Sequence, residues 1–328
     1  MLKLKNLFDN RDLAKMILES WEYDPFSLDM FEYYRISSNA VYPFKNKGRV
    51  KLLRFAPCTE KSKNNIIAEL DFIRYLKQRG YPVLCTVPSK DNWELLEVNT
   101  PWGKYFAVVF DRVPGVQLGQ IDYTYDMCRK HGKALGKLHK LSSEYKPSKA
   151  SRWSHEDVLL WIEKELSDFP DEDLAIQEAK LLNEFFSRLP KNKQIYGLVH
   201  YDFELDNIFY DKFTDMLNII DFDDSMYHWY AMDIEQALDN IANEISCEDY
   251  SLMRDSFIKG YREEFGITDE MLSYLPMFRR FADLYGYVRA LVATKEVWDN
   301  EPEWMVNLRM HLETVMKDRS KHFGKPII

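Results

Sequence analysis

Residues 200–207 read His-Tyr-Asp-Phe-Glu-Leu-Asp-Asn, and fourteen residues beyond Asn207 comes Asp221, within Asn-Ile-Ile-Asp-Phe-Asp-Asp. Asn207 and Asp221 offer one neutral and one charged oxygen, a donor set that suits a hard divalent cation. The neutral ligand leaves the metal enough net charge to hold phosphates. Asp202 is placed to orient an acceptor hydroxyl and take its proton. These are the requirements of phosphoryl transfer, in which metal ions meet dispersed negative charge and the attacking oxygen must be aligned. The pattern His-x-Asp-x4-Asn is weak alone and becomes specific through its surroundings. NIFY and MLNII are strand-like around the polar turn DKFTD, so a hairpin brings Asp221 back toward Asp202 and Asn207.

The rest of the chain must hold that segment. FDNRDLAKMILES (8–20) begins with helix-start residues and carries apolar side chains at helical spacing. FEYYRISSNAVYPF and RVKLLRF read as strands joined by a turn at Gly48, and IIAELDFIRYLKQRG as a helix stopping at Gly80. WELLEV and the β-branched, aromatic YFAVVFDRV (105–113) add strands. After Pro114-Gly115 helices dominate, at 123–141, 154–168, 171–188, 231–245, 250–264 and, with breaks, 270–317; the β-like stretch 195–222 interrupts them. A sheet-rich first third followed by a helical remainder with one catalytic hairpin is an α+β architecture.

Bulk properties narrow the partners. With 328 residues there is material for one large domain or two modest ones, and 46% hydrophobic with 30% charged residues is ordinary for a globular protein. A net charge of −9 with no basic stripe argues against nucleic acid. No run of 18 apolar residues and no apolar leader occurs, so no membrane span or signal peptide is expected. Cys58, Cys85, Cys128 and Cys247 lie far apart without a CxxC pair, which fits a reduced, cytoplasmic setting. Oligomeric state is not encoded in any pattern found.

The His200-x-Asp202…Asn207 pattern, followed by an apolar strand and Asp221-Phe222, closely resembles the aminoglycoside phosphotransferase and choline kinase superfamily, relatives of protein kinases. Ile220 to Asp224, then an aromatic stretch and Asp233-Ile234, is most similar to the bacterial branch that includes stress-response and homoserine-type kinases. The similarity spans residues 30–240. It implies a protein-kinase-like two-lobe fold, a β-rich nucleotide-binding lobe over 1–112 and a helical lobe over 113–328. It implies ATP and Mg2+, with Asp202 as base and Asn207 and Asp221 as metal ligands. Ser38 and Asn39 resemble the loop that covers the nucleotide, Arg54 the phosphate-contacting cation and Glu69 its ion-pair partner. Phe110, Asp111 and Val113 resemble the adenine-holding hinge, and Gly132, Leu135, Gly136, Leu138 and His139 the helix opening the large lobe. Two departures stand out: Arg54 occupies a position that is Lys in protein kinases, and Tyr201 one that is commonly Gly.

Several residues carry a structural reading beside the functional one. His200 reads as a loop-holding side chain, and Asp233 as an anchor of the catalytic loop from a helix start. Asp223 is either a supplement to the metal site or the beginning of the next turn. Glu204, Asp223, Tyr227 and Trp229 are candidate acceptor-site residues, the aromatic pair being either a wall for a cationic group or ordinary packing. Arg279, Arg280, Arg289, Trp298 and Trp304 are further residues that the sequence leaves unplaced. The expected reaction is ATP-dependent phosphorylation of a hydroxyl on a small amino- or hydroxyl-bearing acceptor: an aminoglycoside, an amino alcohol or a homoserine-like molecule. The rival readings are a protein Ser/Thr kinase of the stress-response type and a nucleotide-binding pseudokinase. Only eleven residues separate Asp221 from Asp233, too few for a long peptide-presenting segment.

Overall fold

A computed structural model describes residues 2–244 and 247–326; the end of the helix expected over 231–245 and the Cys247 side chain lie outside the described parts. In chain order the elements are α1 (Arg11–Leu18), β1 (Arg35–Ile36), β2 (Ala40–Asn46), β3 (Arg49–Pro57), α2 (Lys63–Gln78), β4 (Thr86–Val87), β5 (Leu95–Thr100), β6 (Gly103–Asp111) and β7 (Val116–Gln117). They continue with α3 (Tyr125–Ser142), α4 (His155–Leu166), α5 (Asp173–Arg188), β8 (Tyr196–Val199), β9 (Ile208–Asp211), β10 (Met216–Ile219), β11 (Met226–Trp229), α6 (Ala231–Glu244), α7 (Cys247–Arg262), α8 (Asp269–Ser273), α9 (Leu275–Thr294) and α10 (Glu303–Arg319). No helix among the described residues is long and apolar enough to cross a membrane.

Contacts divide the chain into two compact units. The first comprises the residues up to Gln117 together with Tyr145–Ser151 and Ile208–Asp223; the second comprises Leu118–Glu144, Arg152–Asn207 and the described residues from Asp224 onward. The sequence suggested a division at residue 112, whereas the first unit also takes in β7 and the β9–β10 hairpin. The reason is pairing: β7 runs antiparallel to β9, with Val116 opposite Tyr210, and Ile219 donates its amide to Pro82 O.

In the first unit an antiparallel sheet runs β1-β2-β3-β6-β4, with β5 also paired to β6. The β2–β3 turn uses Lys47 and Gly48, both at positive φ, and the Asp24 carboxylate accepts their two amides at 2.9 and 2.8 Å. One face of the sheet packs on α1, which is capped by Asn10 Oδ1 accepting from Leu13 N. Leu13, Ile17, Leu18, Trp21, Tyr42, Phe44, Leu53 and Phe55 form that core. Helix α2 starts at Ser62 and ends before Gly80, whose φ of +72° turns the chain away. In the second sheet, β10-β9-β7, Ile219 lies opposite Ile208, so the chain leaves the hairpin beside the point where it entered.

The second unit is helical, with β8 and β11 as a small antiparallel pair. Helices α3 and α7 touch backbone to backbone: a Cβ on Gly132 would lie 2.0 Å from Phe257 O, and one on Gly260 1.9 Å from Arg129 O. Arg280 of α9 forms a two-point ion pair with the fully buried Glu178 of α5, a strong, geometry-specific contact.

Candidate active site

The segment His200–Asn207 follows β8 directly. Tyr201 sits at φ +67°, a left-handed conformation that costs a side-chain-bearing residue about 1–2 kcal/mol and explains why glycine is the usual occupant. Asp233, wholly buried in the first turn of α6, holds that conformation. Its Oδ1 accepts from Tyr201 N and its Oδ2 from His200 N, both at 2.7 Å. Oδ2 also accepts from His139 Nε2 of α3 at 2.9 Å. The other His139 nitrogen, Nδ1, meets the Tyr261 hydroxyl at 2.9 Å, an arrangement satisfied by the neutral ring. Burial lowers the His139 pKa, with Asp233 opposing the shift. His200 is fully buried and its Nδ1 accepts from Asp202 N at 3.2 Å. The Tyr201 ring packs against Phe281 and Tyr285.

Asp202 is partly exposed. Asn207 Nδ2 donates to Asp202 O at 3.0 Å and to Asp202 Oδ2 at 2.8 Å. With its nitrogen committed to the aspartate, the amide presents its carbonyl oxygen on the opposite side, the atom a hard cation would use. The loop is closed by Leu205 N donating to Asn240 Oδ1 of α6 at 3.0 Å.

In the first unit, Arg54 of β3 and Glu69 of α2 form a buried two-point pair, Nη1–Oε1 2.8 Å and Nη2–Oε2 2.7 Å. Burial works against the charge on Arg54. The Glu69 carboxylate outweighs it, with Asp223 and Asp221 adding, and the guanidinium stays above its ordinary pKa. Its carbon lies 4.9 Å from the centre of the Phe110 ring. Asp221 has φ +61°. Asp223 Oδ2 accepts from Asn39 Nδ2 at 2.9 Å and from Lys61 Nζ. Ser38 lies with Asn39 in the turn between β1 and β2. In the hinge segment Asp111 N is taken by Cys85 O and Arg112 N by Val50 O, while the Asp111 carboxylate pairs with Lys51. Among the described residues no group of three or more His, Cys, Asp or Glu is placed to hold a metal ion by itself.

The acceptor residues suggested by sequence are redistributed. Trp229 is fully buried, donates Nε1 to Pro190 O and stacks on Phe186; with its ring enclosed by side chains it offers no face to a ligand. Tyr227, its neighbour on that strand, is partly exposed. Asp223 sits with Asn39 and Lys61 in the first unit. Arg280 and Arg289 are used in ion pairs with Glu178 and Asp224. Glu204 is joined by acids the sequence reading did not single out. Arg279 Nε contacts Glu235 Oε1 at 2.6 Å and its Nη2 contacts Asp239 Oδ2 at 2.8 Å, while Glu235 Oε2 is buried without a partner. Burial pushes Glu235 up to about 8 and Asp283 to about 6, with Arg279 opposing both. Glu204 is raised by burial and by Asp206. The available signal was i,i+4 spacing: Glu235 and Asp239 on α6, Arg279 and Asp283 on α9. Lys61 was also missed, and one lysine in a turn carries no such signal.

An antiparallel sheet with a basic residue paired to a helix glutamate, and a helical unit bearing the Asp202–Asn207 loop, define a kinase-like phosphotransferase. The chain belongs to the phosphotransferase enzyme family, whose profile matches residues 36–270. Amicoumacin kinase of Bacillus subtilis (strain 168) is 25% identical over 302 residues, 88% of each chain. An amicoumacin kinase solved with AMP-PNP, Ca2+ and Ami has a similar fold, with a TM-score of 0.77 and 23% identity over 98% of this chain and 96% of that one. The microcompartment-associated aminopropanol kinase follows at TM-score 0.69 and 20% identity, over 95% and 97%.

Proposed function

We propose that this phosphotransferase moves the γ-phosphoryl group of Mg-ATP to a hydroxyl on a small acceptor that also carries an amine. The observation that carries the reaction is the Asp202–Asn207 contact. Asn207 Nδ2 holds the Asp202 carboxylate at Oδ2, which orients Asp202 as the base that receives the acceptor's proton. Asn207 Oδ1 and the Asp221 carboxylate are the proposed magnesium ligands. Magnesium, when bound, neutralises charge on the phosphates. Arg54, fixed by Glu69, faces the same negative charge, and the Val113 amide with the hinge carbonyls takes the adenine edge. Ser38 and Asn39 cover the nucleotide.

The amine follows from the acidic group on α6 and α9. Glu204, Glu235, Asp239 and Asp283 lie about the Arg279 guanidinium, with Arg319 acting on Glu204 and Asp283 as well, and an entering ammonium would complete the pairing of Glu235 and favour its charged form. Among the relatives, aminopropanol is by its name both amine and alcohol.

ATP consumption measured against amino alcohols, aminoglycosides, homoserine, sugars and a protein acceptor tests this. Consumption that depends on an amine-bearing alcohol is expected; dependence on a sugar without an amine, or on protein, overturns the acceptor class. Asp202→Asn should bind Mg-ATP normally and lose about 10²–10⁴-fold in kcat, whereas Asp221→Ala should also weaken Mg-ATP binding. Full turnover by Asp202→Asn sinks the assignment of the base.

A further inference from the structure

Lys61 stands in the turn after β3, one residue ahead of Ser62, the cap of α2. Its ammonium lies 2.5 Å from Asp223 Oδ2, the same oxygen that accepts from Asn39 at 2.9 Å. All these residues belong to the first unit. Arg54, the other cation beside Asp221 and Asp223, is committed differently. Both of its terminal nitrogens bond Glu69 and its plane lies over Phe110. It is a fixed charge, held from behind.

An ammonium has three donors on a flexible stem. Lys61 uses one of them on Asp223, and 18% of its side chain remains exposed. Charge points the same way. Arg54 and Lys61 stand against Glu69, Asp221 and Asp223, so the group is negative by one and becomes positive by one when a divalent cation arrives. Without Lys61 it would only reach neutrality, a poor setting for a polyphosphate.

We propose that Lys61 is a second cation for the nucleotide's polyphosphate: its ammonium, paired with Asp223 while no nucleotide is bound, swings to contact phosphate oxygens directly. This rests on the phosphotransferase reading above.

The test is calorimetric titration of the full chain with Mg-ATP, Mg-ADP and adenosine, using wild type, Lys61→Ala, Lys61→Arg and Asp223→Asn. Lys61→Ala should weaken Mg-ATP and Mg-ADP about tenfold or more, the loss of a charged hydrogen bond, and leave adenosine within about twofold. Lys61→Arg should restore most of the affinity. Asp223→Asn should bind Mg-ATP as tightly as wild type or tighter, because the ammonium is released toward phosphate. If Lys61→Ala binds Mg-ATP normally, or loses adenosine equally, the proposal fails. It also fails if Asp223→Asn weakens Mg-ATP as Lys61→Ala does, since Lys61 would then act only by holding Asp223. A folded wild type that binds adenosine but not Mg-ATP would bring down the phosphotransferase reading itself, a different result from a normal Lys61→Ala.

Discussion

Replacing Asp233 should loosen the catalytic loop and the second unit together, in a graded order. The carboxylate accepts three hydrogen bonds, at 2.7, 2.7 and 2.9 Å, inside a fully buried site. Alanine leaves two backbone amides and the His139 N–H without an acceptor. At about 1–3 kcal/mol for each of the three stranded groups, and with relaxation of Tyr201 from its left-handed backbone returning about 1–2 kcal/mol, the expected loss is about 1–8 kcal/mol, centred on about 4–5 kcal/mol. Asparagine keeps one oxygen. The best placement puts it where Oδ2 serves His200 N and His139, and turns an NH2 toward Tyr201 N, so one bond to a charged acceptor is lost, about 1.5–3 kcal/mol. Urea denaturation should therefore rank wild type above Asp233→Asn above Asp233→Ala. Steady-state kinetics should show kcat falling in the same order with the KM for ATP nearly constant, because the loop carrying Asp202 is affected and Arg54 is not. An alanine variant within about 1 kcal/mol of wild type, or one more stable than the asparagine variant, would refute the reasoning.

Two further outcomes follow from packing and from buried rings. Gly132→Ala, which would place Cβ 2.0 Å from Phe257 O, should lose about 1–3 kcal/mol or more by forcing α3 from α7; Gly266→Ala, with nothing within 4 Å, should change stability by less than about 0.5 kcal/mol. Equal urea midpoints for the two variants would contradict the packing. Acid should destabilise the fold below about pH 6.5: burial holds His131 to about 3 and His155 to about 4, and lowers His139 and His228 as well. The unfolded chain thus takes up protons that these four rings refuse. Raised Glu235 and Asp283 oppose this, binding up to two protons in the folded state that the unfolded chain has released. Near pH 5 the net balance of about one to two protons favours unfolding, about 1.4–3 kcal/mol lost per pH unit. Urea midpoints that stay level or rise from pH 6.5 to 5 would overturn that balance.

The primary sequence alone determined the local elements and the chemistry of the short motif. Alternation and turn residues marked β2, β3 and β6. Helical spacing with a terminal Gly80 marked α2. The fixed interval from His200 to Asp221 selected phosphoryl transfer, because only a few residue types serve as base and hard-metal ligands. The pairing of Arg54 with Glu69 was anticipated from resemblance, since fifteen residues of chain hold no local signal for it. Tertiary structure decided what depends on burial and on distant neighbours. It decided between the two readings of Trp229 in favour of packing, joined β7 and the hairpin to the first unit, and gathered Glu235, Asp239, Arg279 and Asp283 into one group. It also set Lys61 on Asp223, 162 residues away. A carboxylate or an ammonium looks the same in sequence whether solvated or buried. Only the folded surroundings, by removing water and supplying or withholding a partner, determine which of the two it becomes.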